Sequence, residues 1–202
     1  NVIYQAMPGQ NVVISGGKVI TVTWTLHDSG KNIWKATIDA SLNFRQLYVN
    51  DKRTIRSRQP NASTDPAQFF TTGRYPLFGV SPPIVDITQS QITNVTNLTQ
   101  VEIFWTHFWQ CYMSRIAGYS VNSTAVTLAY IDGGPWNGFL QSWAGDTDTP
   151  SYPYCPYYYL ENAYEFIDTE SEWYLNTGTH VLYYKPRIGE NIATAEVIVP
   201  AI

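Results

Sequence analysis

Five carboxylates fall within twelve residues: Glu161, Glu165, Asp168, Glu170 and Glu172. A pair of carboxylates flanking the scissile bond is what acid/base cleavage of a glycoside requires. Their surroundings point to a plainer role. Leu160, Ala163, Tyr164 and Ile167 recur at i, i+3, i+4 and i+7, which predicts a helix of about two turns. Glu161 and Glu165 then occupy its solvated side. Asp146 and Asp148 offer two carboxylates to a cation, but the further oxygen ligands of a calcium loop are missing. His27, His107 and His180 have no ligand-type partner at the spacings a zinc site uses. His107, between Trp105 and Trp109 on an alternating segment, reads as a structural histidine. No serine stands in a nucleophile-elbow sequence. Gly16-Gly17 and Gly133-Gly134 read as turns rather than a phosphate cradle. Neither a catalytic constellation nor a cofactor or metal site is expected.

Aromatic rings are the second resource. Trp136, Trp143, Tyr152, Tyr154 and Tyr157 lie in or beside one loop-rich stretch. Such rings stack on sugars, but they also fill cores, close lids and meet protein or glycan neighbours, and the sequence leaves those alternatives open. Basic residues gather at Arg45, Lys52, Arg53, Arg56 and Arg58, as solvated hairpin edges or as partners for carboxylates.

Covalent chemistry is more pointed. Four N-x-S/T sequons begin at Asn61, Asn94, Asn97 and Asn122. The two cysteines, Cys111 and Cys155, would pair in an oxidising compartment. Only 14% of the residues are charged, against about 25% in an average domain, so N-glycans are a natural source of solubility. These features predict a secreted or cell-surface chain. The formal charge of −4 argues against nucleic acid, whose phosphates need clustered cations in excess. No apolar run approaches the roughly 18 residues of a membrane span. The chain begins at Asn1 rather than Met, which predicts a processed or excised segment.

The elements that must position these groups are strands. β-branched and aromatic runs alternate with Gly, Pro, Asn and Asp from Val2–Ala6 and Val12–Ser15 through to Val181–Lys185 and Ala195–Val199. The expected fold is all-β: an antiparallel sandwich, immunoglobulin-like or jelly-roll-like, over residues 1–202 as one domain, with one short helix. Arg45–Val49 and Arg53–Ser57 form a hairpin whose tight turn is Asn50-Asp51, both residues tolerating positive φ. Glu172–Leu175 and Val181–Lys185 form another, with Gly178 at its left-handed position. Segments 57–83 and 133–156 are long, turn-rich excursions.

FRQLYVNDKRTIRSRQPN (residues 44–61) and YYLENAYEFIDTESEWYLNTGTHVLYYKPRIGENIATAEVIVPA (158–201) resemble the β-sandwich insert of secreted right-handed parallel β-helix proteins, many of them polysaccharide-degrading. VIYQAMPGQNVVISGG (2–17) is similar to the coils that precede that insert. The resemblance implies that the catalytic carboxylates stand on the β-helix, and no position here matches them. It also implies that terminal strands 1–17 and 194–202 pair with further β-structure. Without a β-helix, Val2, Ile3, Tyr4, Val12, Val13 and Ile14 would pair with a second copy, across an edge that includes Val197, Ile198 and Val199. The leading expectation is therefore a non-enzymatic, glycosylated, extracellular structural subunit that self-assembles into a filament. Its alternatives are a module of a carbohydrate-active β-helix enzyme, or a free-standing carbohydrate-binding or adhesive domain.

Overall fold

The computed structural model describes residues 2–10, 12–62, 69–71, 84–107, 110–119, 125–129 and 157–200. Within them the chain is a β-sandwich of three sheets. The first contains β1 (Gly17–Ile20), β4 (Tyr48–Val49), β5 (Lys52–Arg53) and β16 (Val197–Pro200), ordered β1-β16-β4-β5. The second contains β2 (Thr25–Asp28), β3 (Ile33–Thr37), β6 (Ile55–Arg56), β14 (Glu172–Asn176) and β15 (Val181–Tyr184), ordered β2-β3-β15-β14-β6. The third is built from β7 (Arg58–Gln59), β8 (Phe70–Thr71), β9 (Ile84–Asp86), β10 (Glu102–His107), β11 (Gln110–Tyr119), β12 (Ala125–Ala129) and β13 (Tyr157–Glu161). Its order is β7-β13-β10-β11-β12-β9, with β8 also on β13. Pairing is antiparallel except that β6 runs parallel to β14.

One segment threads all three sheets. Lys52–Arg53 lies in the first, Ile55–Arg56 in the second and Arg58–Gln59 in the third. Ser57, fully buried, ties the last two together. Its N–H donates to the Trp173 carbonyl, its hydroxyl to the Ala163 carbonyl at 2.7 Å, and its carbonyl accepts from the Asn162 N–H. The turn before this segment uses Asn50 and Asp51 at φ 50° and 60°, as their short polar side chains allow.

Alternation decides the core. Val49, Val197 and Val199 of the first sheet meet Trp173, Leu175, Leu182 and Tyr184 of the second, with Phe44, Leu47 and Ile192 between. Ile103, Ile116, Tyr158 and Leu160 of the third sheet pack under Ile92, Val101 and Phe166. Each such aliphatic side chain, nearly or wholly removed from water, contributes about 1.5–3 kcal/mol relative to exposure.

Four sequence expectations change. Tyr157–Glu161 forms a strand and Tyr164–Phe166 a single 3-10 turn, in place of the two-turn helix. Asn162, at φ 71°, breaks the helical path, and pairing with β10 supplies the hydrogen bonds a helix would have made. Positive φ falls on His180 rather than Gly178; the Gly178 and Thr179 N–H groups instead cap Asn176 Oδ1. Val197, Ile198 and Val199 are not a free edge: β16 lies between β1 and β4, all three residues paired with β1 and Val197 and Ile198 paired with β4 as well, while Val199 is buried. Residues 2–10 and 12–15 join none of the three sheets; Val2, Ile3, Tyr4, Val12, Val13 and Ile14 are exposed, with a hydrogen-bonded turn at Met7–Gln10 and a bond from the Gly17 N–H to Ser15 Oγ.

Candidate functional site

The principal concentration of charge lies on the face of the third sheet opposite its apolar core. Glu102 on β10 stands directly across from Glu161 on β13 and from Arg115 on β11. Side by side on neighbouring strands, two carboxylates would repel, and guanidiniums from outside the sheet resolve this. Arg45 Nη1 lies 2.7 Å from one Glu102 oxygen and 2.6 Å from the other, and its Nη2 donates to Glu161 at 2.9 Å. Arg56, on the threading segment, donates from Nη1 to Glu102 at 2.6 Å and to Glu161 at 3.1 Å. Its Nε donates to Asn162 Oδ1 at 3.2 Å. Arg115 Nε sits farther off, 3.8 Å from Glu102. Two of the five clustered cations are thus carboxylate partners.

Glu102 is wholly buried. A carboxylate with both oxygens held by guanidiniums and no solvent access can neither reach a glycosidic oxygen nor exchange a proton with it. Burial pushes the Glu161 carboxyl above its ordinary range, while Arg56 pulls it down and the Glu102 charge raises it further. The cluster clasps the third sheet to the threading segment. Breaking a buried pair costs up to about 3–5 kcal/mol, the full amount where the remaining charge is left without a partner.

The carboxylates that cluster in sequence disperse in space. Glu165 accepts from the Thr96 N–H and hydroxyl. Asp168 accepts from the Thr169 hydroxyl, and Glu170 from the Ile188 N–H at 3.0 Å. Glu172, 1% exposed, accepts from three backbone amides: Arg58, Asp168 and Thr169. Burial outweighs those bonds and raises its carboxyl to about 7. Each carboxylate fixes a different loop, so they do not converge on one substrate position. A second clasp, invisible to spacing rules, joins the 187–190 loop to two sheets. Arg187 reaches the Val49 and Arg53 carbonyls, Ser171 Oγ and Glu190, while the buried Tyr184 hydroxyl donates to Glu190 at 2.7 Å. Among the described residues no group of three His, Cys, Asp or Glu is placed to hold a metal.

Of the modification sites, Asn61 and Asn94 are exposed. Asn97 is half-buried, and its Nδ2, the atom a glycan would occupy, donates to the buried Tyr174 hydroxyl at 3.2 Å. Asn122 and Cys155 lie outside the described residues, as do Trp136, Trp143, Tyr152 and Tyr154. Tyr157 is half-buried on β13. Cys111 lies on β11.

No curated protein matches this sequence. A solved structure described as a glycoside hydrolase is similar over 96% of this chain, with a TM-score of 0.73 and 25% identity. The match covers 33% of that protein, so this chain spans about a third of its length. The profile of the GH141 insertion domain matches residues 32–187. These findings overturn the expectation of a self-assembling structural subunit that forms filaments by strand complementation. They bear out the resemblance to the sandwich insert of glycoside-hydrolase-type proteins. With more than half of its length matched, this chain belongs to the GH141 insertion-domain family.

Proposed function

We propose that the chain is the β-sandwich module of a polysaccharide-active β-helix glycoside hydrolase, where it borders the substrate cleft and supplies neither the acid nor the nucleophile. The observation that carries this reading is the agreement over nearly the whole chain with one third of a glycoside hydrolase. The exposed apolar row Val2, Ile3, Tyr4, Val12, Val13 and Ile14 supports it. Two consecutive runs of exposed apolar residues with no ladder of their own are suited to pairing with the coils of an adjoining β-helix. The consumption of Glu102, Glu161, Glu165 and Glu172 by internal bonds is in keeping with chemistry carried elsewhere.

The same reading has the module outside the cell, with a Cys111–Cys155 bond and N-glycans at Asn61, Asn94 and Asn122. Asn97 is a poorer acceptor because its amide is engaged. Non-reducing peptide mapping with and without glycosidase tests these modifications together.

The deciding experiment assays reducing-sugar release from a polysaccharide panel, by the chain alone and by the chain joined to an adjoining β-helix. Activity should require the β-helix. Release by the chain alone, abolished by Glu165→Gln, would show that the sandwich carries its own catalyst.

A further inference from the structure

The outer face of the third sheet is ordered in two rows. Glu161, Glu102 and Arg115 stand side by side across β13, β10 and β11. Two residues along, Tyr159, Phe104 and Met113 do the same. Phe104 and Tyr159 are stacked with centroids 4.9 Å apart. Arg45 joins the rows, its Nη2 reaching both Glu161 and Met113 Sδ. A charged row therefore runs beside an apolar one, about 7 Å away for a two-residue step along a strand.

The charged row carries a surplus. Arg45, Arg56, Arg58 and Arg115 stand beside two carboxylates, Arg58 directly across from Glu161 on β7, leaving two positive charges in excess. One of them, Arg58, is turned inward with its Nε and Nη2 buried and without a hydrogen-bond partner, so the solvent-facing excess resides on Arg115. Arg45 and Arg56 are committed to Glu102 and Glu161 at 2.6–3.1 Å. Arg115 touches Glu102 only through Nε at 3.8 Å, and among the described residues no carboxylate comes nearer. Its side chain is 51% exposed, and Met113 beside it is 37% exposed. The other cation on this face, Arg58, lies over the Tyr159 ring at 3.8 Å and covers it.

We propose that this face binds a uronic-acid residue of a polysaccharide, with its carboxylate on Arg115 and its ring against Met113 and Phe104. This rests on the reading of the chain as part of a polysaccharide-active protein and adds the class of sugar. One exposed surplus guanidinium suits one planar carboxylate, to which its fork donates two parallel N–H bonds. The C–H face of a pyranose suits the apolar row, and the row separation leaves room for the C6 carboxyl group plus one hydrogen bond to the guanidinium.

Titration calorimetry of the chain with oligogalacturonate, neutral xylo-oligosaccharide and a sulfated oligosaccharide tests this at low and at physiological salt. The uronate should bind best, and Arg115→Gln should weaken it about tenfold or more, the loss of a charge-assisted pair. Arg115→Lys, which keeps the charge but not the fork, should fall between. Lys18→Gln, on the exposed strand β1, should bind as the parent does. Thermal melting of each variant separates misfolding from lost contact. Equal binding of the neutral sugar, tighter binding of the sulfated one, or equal loss in Lys18→Gln would each overturn the proposal. So would loss of binding once an adjoining β-helix is present, because a protein partner would then cover the face. Activity of the β-helix-bearing polypeptide is measured independently, so the module reading can survive if no uronate binds.

Discussion

Glu172 makes stability depend on pH in a direction opposite to the usual carboxylate. Its folded carboxyl is raised to about 7 from the ordinary glutamate value of 4.5, so between those values the folded chain holds a proton that the unfolded chain has released. Stability from this group is complete below about pH 4.5, falls as pH rises, and is lost above about pH 7. A displacement of that size corresponds to roughly 3 kcal/mol. With Glu172 only 1% exposed, solvent screening does little to reduce it. Glu172→Gln removes the charge while retaining one acceptor for the Asp168, Thr169 and Arg58 amides. The variant should therefore resemble the parent at about pH 4 and gain on it by up to roughly 3 kcal/mol at about pH 8. Urea unfolding across that range, extrapolated to water, gives both curves. Their difference isolates Glu172 from Glu161, which is also raised, and from Glu190, which is lowered. Parallel curves would refute the reasoning and mean that the three amide bonds, not burial, control the group.

Arg56→Ala should destabilise by up to about 3–5 kcal/mol, because Glu102 stays fully buried with one of its two close guanidiniums removed; urea unfolding measures it. Replacing both partners together, as Arg56→Met with Glu102→Leu, should cost much less than the sum of the single changes. Asp51→Gly should stabilise by roughly 0.5–1 kcal/mol, since φ 60° is free of side-chain strain only for glycine; the melting temperature reports it.

The all-β character and both hairpins were legible in the sequence because they depend on neighbours. A turn such as Asn50-Asp51 needs only two residues that accept positive φ, and the strands beside it need only alternation. The family resemblance was legible for the same reason, in two continuous segments. The expected helix at residues 160–167 shows where this fails. Leu160, Ala163 and Ile167 satisfy a helical spacing, yet a strand, a left-handed Asn162 and a 3-10 turn bury the same side chains. Local pattern cannot choose between them; the ladder offered by β10 does.

The sequence by itself determined the all-β character, the Asn50-Asp51 turn, the sequons and the surplus of aromatic over charged residues. Only the tertiary structure decided which charges meet. Arg45 and Glu102 stand 57 residues apart, and Arg56 and Glu161 stand 105 apart. No periodicity relates them. Tertiary structure also closed the edge of Val197-Ile198, which looks open in one dimension and is covered by β1 and β4 in three. Backbone preference is a property of adjacent residues. The desolvation of a carboxylate, and the partner that must offset it, follow from register between strands that the chain brings together only on folding.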